Sequence, residues 1–396
     1  MPTNVIPENL SVVVPSPETK IHPTTADIET LRVSVSRWLS IPADDQDLID
    51  FSLAVYKSHD IPGDPLWAIM IDASGGGKTE LLRALRTQPK AYFLSSLTEK
   101  SLVSGYRDPK NPKKDPSLLP ELDEKIVIIK DLAPLLGMKA ESRSAVIAGL
   151  RDAYDGFTDQ GRGNLGRISY QARFTLLAAS TLAIERTDSV EQELGERFIK
   201  FRARGHGDKD KVRKAISNIG EDSPMRLDIE GAISKFLAQE RVAIKEKIPP
   251  TLREPLADLC DFTARTRSHV PRDRNGTIQY IPRPEVGTRL GKELGKLLLA
   301  LATVRGKPEP DQSDFDTVVR VAEDCLPPNR MAVLNALRHH SSPVGAGEIE
   351  QATGLPHASV YRTLEDLRVL GTVESISGPG GYGNTWRLIS HWKAAP

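Results

Sequence analysis

Residues Ile71 to Leu82 read Ile-Asp-Ala-Ser-Gly-Gly-Gly-Lys-Thr-Glu-Leu-Leu and fall between an apolar run and an amphipathic one. Their types and order suit phosphate chemistry. Successive backbone N–H groups in a tight glycine loop form a nest for an anion, and a helix starting after the loop adds the positive end of its dipole. A lysine then offers a point charge to the outer phosphates, and the hydroxyl beside it can ligate magnesium. Gly75, Gly76, Gly77, Lys78 and Thr79 supply these parts in order, with Ser74 and Glu80 at the edges of the cradle. The expected ligands are ATP and Mg2+. Asp72 departs from the usual pattern, which has a glycine at that place. A carboxylate facing a triphosphate would be repelled, so Asp72 is expected to turn away and bond to loop amides, as aspartates do in turns.

A bound magnesium needs a second anchor, an acid at the end of a neighbouring buried strand. Ile126 to Asp131, Ile-Val-Ile-Ile-Lys-Asp, offers one, with Lys130 in the first polar place and Asp131 in the second. Either Asp131 serves the metal together with Thr79, or it polarises the attacking water while the metal relies on Thr79 and solvent. A strand-ending aspartate that merely caps a loop would look the same. A further apolar run, Leu176 to Ala179, ends in Ser180 and Thr181.

These residues need a frame. Strands expected at Leu66 to Ile71, Ala91 to Leu94, Ile126 to Ile129, Phe174 to Ala179 and Phe198 to Arg202 alternate with helices at Thr79 to Arg86 and Glu141 to Tyr154. Such alternation implies an α/β fold, a parallel sheet with helices on both faces. Before it, residues 1–26 are rich in Pro, Thr and Ser and are expected to form a mobile arm; apolar spacing from 27 to 62 suggests short helices. After it, helices are expected at Lys209 to Asn218, Asp228 to Lys245, Leu252 to Thr266 and Val286 to Val304. Thr158 to Tyr170, punctuated by Gly161, Gly163, Asn164 and Gly166, reads as a hairpin.

With the segments placed, residues Gly63 to Lys307 resemble the AAA+ ATPases, in the branch that contains the minichromosome maintenance (MCM) helicases and related phage and mobile-element ATPases. The resemblance makes 63–205 a P-loop core and 206–326 a helical lid. It puts Thr181 at the sensor-1 position, near the γ-phosphate. Glu193 to Phe198, Glu-Leu-Gly-Glu-Arg-Phe, is similar to the segment bearing an arginine finger, which implies that Arg197 reaches a neighbouring subunit's nucleotide. Pro284 to Leu294 resembles the sensor-2 helix, with Arg289 as its arginine. The hairpin corresponds to one that grips DNA phosphates in a ring's pore, through Arg162 and Arg167 here. The departures, Asp72 and Lys130, bear on how fast ATP is hydrolysed.

From Pro328 the pattern is three helices (Asn329 to His340, Ala346 to Thr353, Leu355 to Gly371) and a glycine-tipped hairpin. This resembles a winged helix-turn-helix, making 327–396 a DNA-binding unit. His357, Ser359, Tyr361 and Arg362 occupy the exposed start of its second helix of the pair, where base edges or phosphates are met, and Tyr382 and Arg387 can serve from the wing. Val360, Leu364 and Leu367 have core spacing.

Acidic and basic residues balance at 53 each, so a nucleic-acid partner has to be met by local patches. Cys260 and Cys325 lack metal-ligand spacing and read as small buried apolar residues, as suits a reducing cytoplasm. No leader and no run able to span a bilayer is legible. The expected activity is that of an ATP-dependent DNA helicase or translocase in the replication module of a phage, plasmid or mobile element. The resemblance implies a hexameric homo-oligomer working with replication proteins. The alternatives are a nucleotide-switched DNA-binding regulator or helicase loader with little unwinding, and an ATPase subunit of a defence or transposition complex.

Overall fold

The computed structural model describes residues 27–98, 101–104, 116–162, 166–186, 197–205, 209–239, 247–377 and 384–389. The arm expected over 1–26 lies outside them. Among the described residues up to Arg202 there are seven strands: β1 Trp67–Ile71, β2 Ala91–Leu94, β3 Ile126–Ile129, β4 Phe157–Arg162, β5 Gly166–Gln171, β6 Thr175–Ser180 and β7 Ile199–Arg202. Five form a parallel sheet in the order β2-β3-β6-β1-β7. Its central strands β1, β3 and β6 lack alternation because both faces are covered, whereas edge strand β7 alternates as Ile-Lys-Phe-Arg. Ala68, Met70, Ile128, Leu177 and Ala179 enter one core, and Trp67, Ile69, Val127, Ile129, Leu176 and Ala178 enter the other. In register, Ile71 lies beside Ser180 and Ile129 beside Ala178, so the carboxyl ends of β1, β3 and β6 open side by side. In open parallel sheets that edge is where ligands sit.

The first face is covered by α1 Ile28–Trp38, α2 Asp47–Lys57, α3 Lys78–Ala84 and the helices after β7. The expected N-terminal helices, core and lid therefore share one hydrophobic core. Charge reinforces the junction. Asp50, fully buried on α2, accepts from Arg32 and Arg305, and Arg305 also pairs with Asp47 and the buried Asp314.

The other face carries the short helices α4 Leu119–Leu122 and α5 Ala133–Leu136, the longer α6 Ala140–Tyr154, and the antiparallel β4–β5 hairpin. An aromatic cluster of Trp67, Tyr154, Phe174 and Phe198 anchors α6 to the sheet, with ring centroids 5.1 to 5.3 Å apart.

The helical region is α7 Lys209–Ser217, α8 Asp222–Leu237, α9 Pro250–Arg267, α10 Thr288–Val304 and α11 Gln312–Asp324. Here the sequence expectations need three corrections. Helix α8 starts at Asp222, not Asp228, because Met225 already packs into the core. Helix α10 starts at Thr288 because Gly287 lies hard against α9; a Cβ there would stand 2.9 Å from the Cys260 backbone. Helix α11 was not expected at all. Asp311 and Asp314 cap its first turn reciprocally, and Phe315, Val318, Val321 and Ala322 are buried along it.

The last unit has a separate core around Leu334, Leu337, Ile349, Val360, Leu364, Leu367 and Trp386. It consists of α12 Pro328–Arg338, α13 Ala346–Thr353, α14 His357–Val369 and a three-stranded sheet, β8 Val344–Gly345, β9 Val373–Ile376 and β10 Thr385–Leu388, in the order β8-β10-β9. This is a helix-turn-helix with a wing, and the fold class is α/β with a C-terminal helix-turn-helix.

Candidate nucleotide-binding site and nucleic-acid interface

The cradle begins where β1 ends. Asp72 N donates to Ser180 O at 3.3 Å, which registers the loop on β6. Gly75 and Gly77 hold φ of +83° and +90°, a region that side chains other than glycine seldom enter. Gly76 is required for a different reason: a Cβ there would fall 1.6 Å from Asp72 Oδ2. Asp72 is therefore folded under the loop, 1% exposed, with Oδ1 accepting from Ala73 N at 2.7 Å. The expected bond to a loop amide is present. The carboxylate nevertheless lies directly beneath the cradle instead of leaving it.

Lys78 is 7% exposed and donates to Asp72 O and Ala73 O, both at 2.9 Å. Burial pulls its ammonium below the usual lysine pKa, with Asp72 and Asp131 opposing that shift. The loop opens on a cavity of about 450 Å³ that collects Ser74 to Glu80, Lys130, Asp131, Ser180 and Thr181. Residues expected from three separate strand ends are thus brought to one space. Asp131 Oδ1 accepts from Ala133 N at 2.8 Å, leaving Oδ2 for other work while the first oxygen caps the loop. The buried Ser180 Oγ has no hydrogen-bond partner among the described residues, so the cavity suits a polar ligand. Glu80 is held by Arg226 of α8 at 3.1 and 3.2 Å, which ties the cradle's edge to the helical region.

Several lining residues were not expected from sequence: Trp38 and Leu39 from α1 and its end, Lys211, Lys214 and Asn218 from α7 and the turn after it, and Met225 from α8. Lys214 Nζ donates to Ser36 O, and Asn218 Nδ2 donates to Trp38 O at 3.1 Å. The available signal was the spacing Lys211, Lys214, Asn218, which gives α7 one polar face. That face turns inward across the cavity.

Arg197 and Arg289 do not line this cavity. Arg197 is 8% exposed, pairs with Asp155 Oδ2 at 3.1 Å, and lies over the Tyr154 ring at 5.8 Å. Arg289 sits at the start of α10, one turn before Glu293. Tyr154 OH donates to Glu293 Oε1 at 2.7 Å, and Arg289 acts electrostatically on both. Burial raises the Glu293 carboxyl to about 7, opposed by Arg267, the Tyr154 hydroxyl and Arg289. The two arginines therefore both act on Tyr154, at the end of α6, one over its ring and the other electrostatically. Glu193 to Glu196 lie outside the described residues.

In the hairpin Arg162 pairs with Gly166 and Gly161 with Arg167, which places both arginines next to the tip. Their side chains lie outside the described part, as does Tyr382. On α14, His357, Tyr361 and Arg362 are exposed and Ser359 half-buried. His357 Nδ1 lies 3.0 Å from Glu350 Oε2, and the Tyr361 ring stands edge-on to Trp386 at 6.0 Å. Arg387 is exposed but paired across the wing with Glu374. Among the described residues no group of three or more His, Cys, Asp or Glu could hold a metal ion by itself, and no helix is long and apolar enough to cross a membrane.

Comparison with known proteins adds three findings. No curated protein sequence matches the chain. A solved structure described as a full-length MCM homolog from Methanopyrus kandleri is similar over 78% of this chain at 14% identity and a TM-score of 0.43, and the chain spans 62% of that structure's length. Residues 330–376 match the IclR helix-turn-helix domain, which covers α12 to β9 and agrees with the fold seen there.

Proposed function

We propose that the chain is an AAA+-type ATPase that works on DNA as a ring of identical subunits, in the replication machinery of a phage, plasmid or mobile element. The observation that carries this is the convergence of Gly75 to Thr79, Asp131 and Thr181 on one cavity at the carboxyl ends of three adjacent parallel strands. The amides of 75 to 79 cradle phosphate oxygens. Lys78 exchanges its two carbonyl acceptors for the outer phosphates, and Thr181 orients water. A magnesium ion would be held by Thr79 and Asp131 and would neutralise charge on the phosphates. Arg197 and Arg289 both lie off the lining of the cavity, which suits service to a neighbour's nucleotide; Arg197 has to leave Asp155 to do so. The hairpin's Arg162 and Arg167 and the exposed start of α14 meet DNA.

A second reading is favoured by one feature. The Asp72 carboxylate under Gly76 sets negative charge beneath the phosphates, which suits a slow, nucleotide-switched DNA binder more than a fast motor. Strand displacement on forked DNA separates the two. Unwinding that disappears in Lys78→Ala supports the motor, whereas nucleotide-dependent DNA binding without unwinding supports the switch. Absence of ATP affinity in the presence of magnesium overturns both. Mixing Arg197→Ala with Lys78→Ala subunits is expected to restore part of the ATP turnover. Mixed assemblies that form and stay inactive refute action in trans.

A further inference from the structure

Between α9 and α10 the chain makes a small projection beside α14. Arg272 bridges antiparallel to Ile278, and Gln279 N donates to Pro271 O at 3.0 Å. The tip is a tight turn: Gly276 N donates to Asp273 O at 3.0 Å, Gly276 has φ of +83°, and Asp273 Oδ1 accepts from Asn275 N and Thr277 N at 2.9 and 2.8 Å. Arg272 fixes this finger to α14 through Asp366 at 2.7 Å, Glu365 at 3.2 Å and the Arg362 carbonyl at 3.1 Å. Arg330 completes the clasp, bonding to Asp366 Oδ2 at 3.2 Å and to the carbonyls of Thr266 and Ser268 at 2.7 and 2.6 Å. The tip itself touches the helix: a Cβ on Gly276 would come within 3.0 Å of the Arg362 guanidinium.

The clasp has an electrostatic consequence. Glu365 and Asp366 are the acids of α14, and both are occupied by Arg272 and Arg330. Around them Arg274 and Arg283 of the finger region, with Arg362 and Arg368 of α14, are exposed and make no ion pair among the described residues. The remaining acids nearby are committed as well, Asp273 to its turn and Glu285 to Arg267 at 2.8 Å. Tyr280, 64% exposed, adds a flat polar-tipped ring to the same finger. In a chain with no net charge, this concentrates unpaired guanidiniums along the middle and end of one helix.

We infer that the finger and α14 form one composite surface for duplex DNA, in which the helix enters the groove and Arg274 and Arg283 hold the flanking phosphates. The inference rests on α14 binding DNA, as proposed above. Phosphate contacts of this kind are blind to sequence and lower the salt dependence of binding by about one ion each when removed.

The test uses the full chain and a mixed-sequence duplex, with affinity read by fluorescence anisotropy from low to moderate salt. Arg274→Ala with Arg283→Ala is expected to weaken binding about tenfold and to reduce the salt slope by about two. The same pair changed to lysine should recover affinity to within about twofold, because a phosphate needs the charge more than the fork. Wild-type affinity in the alanine pair, with clear loss in Arg362→Ala, overturns the composite surface while leaving α14 as a DNA reader. Wild-type affinity in both overturns the DNA reading of the winged helix itself. Failure of the lysine pair to recover overturns the charge role assigned to the finger. Competition by poly-glutamate as strong as by duplex marks the patch as a binder of acidic protein and overturns the inference.

Discussion

At the glycine loop the partners of the proposed phosphate would be amides from consecutive residues, whereas at the junction of the later helices with α1 and α2 the charges meet across 255 residues of chain, as Arg305 meets Asp50. The first arrangement is backbone work: glycine conformation sets it, and each amide contributes a little. The second is side-chain work in a buried setting, where each ion depends on the others for its solvation. The difference predicts how each region fails. A change at the cradle tunes affinity; a change at the junction exposes the cost of an unpaired buried charge.

The largest effect is expected from Arg305→Met. It leaves Asp50 and Asp314, both fully buried, without this guanidinium and is expected to lower stability by about 3–5 kcal/mol in urea unfolding. An unchanged midpoint would mean that the junction is held by its apolar contacts alone.

Next in size is Glu293→Gln, read against pH. The folded carboxyl titrates at about 7 and an unfolded one near 4.5. Below 4.5 both states are protonated and the site costs nothing. As pH rises through the window to 7 the unfolded chain releases a proton that the folded chain retains, so stability falls, and above 7 the loss is complete. The gap corresponds to roughly 3 kcal/mol. Glutamine keeps an acceptor for Tyr154 and removes the titration, so the variant should gain on the wild type from pH 5 to 8. Parallel pH profiles would place the carboxyl in a wetter site than described. Arg267, Arg289, Tyr154 and Glu285 face the group and are unchanged in this test.

A smaller effect is expected from Asp155→Ala. The Arg197 pair is half-exposed on the acid side and worth no more than about 1 kcal/mol. Releasing Arg197 should lower the protein concentration for half-maximal ATP turnover by roughly threefold. A rise instead would make Asp155 a positioning group that presents the arginine. The smallest is Asp72→Asn, which removes charge under the cradle but keeps the acceptor for Ala73. ATP affinity should improve roughly twofold. A loss would show that the carboxylate supports the loop more than it repels the ligand.

Legibility in the sequence followed the same division. The cradle, the strand-ending Asp131 and Thr181, and the helix-turn-helix were readable because each is encoded by neighbours: glycine conformation, apolar runs, caps. The central parallel strands β1, β3 and β6 could be recognised as buried because they lack alternation. Helix α11 is announced by the caps Asp311 and Asp314, and its N-cap follows directly on a proline. The pocket face of α7 was legible only as a polar stripe, with nothing local to say that it lines a cavity. Lys211 and Lys214 look like solvated charges until Ser36 and Gly205 present carbonyls to them. Likewise, that Arg197 rests on Asp155 is a fact of tertiary approach, with nothing local to announce it.

Asp72 and Gly76 occupy one another's space. While position 72 carries a branched acid, position 76 has no freedom to acquire any side chain, even alanine. Shortening the acid first would release that veto, so the order in which the two sites could change is fixed. Natural variants of this loop should therefore keep glycine at the second site wherever the first remains acidic.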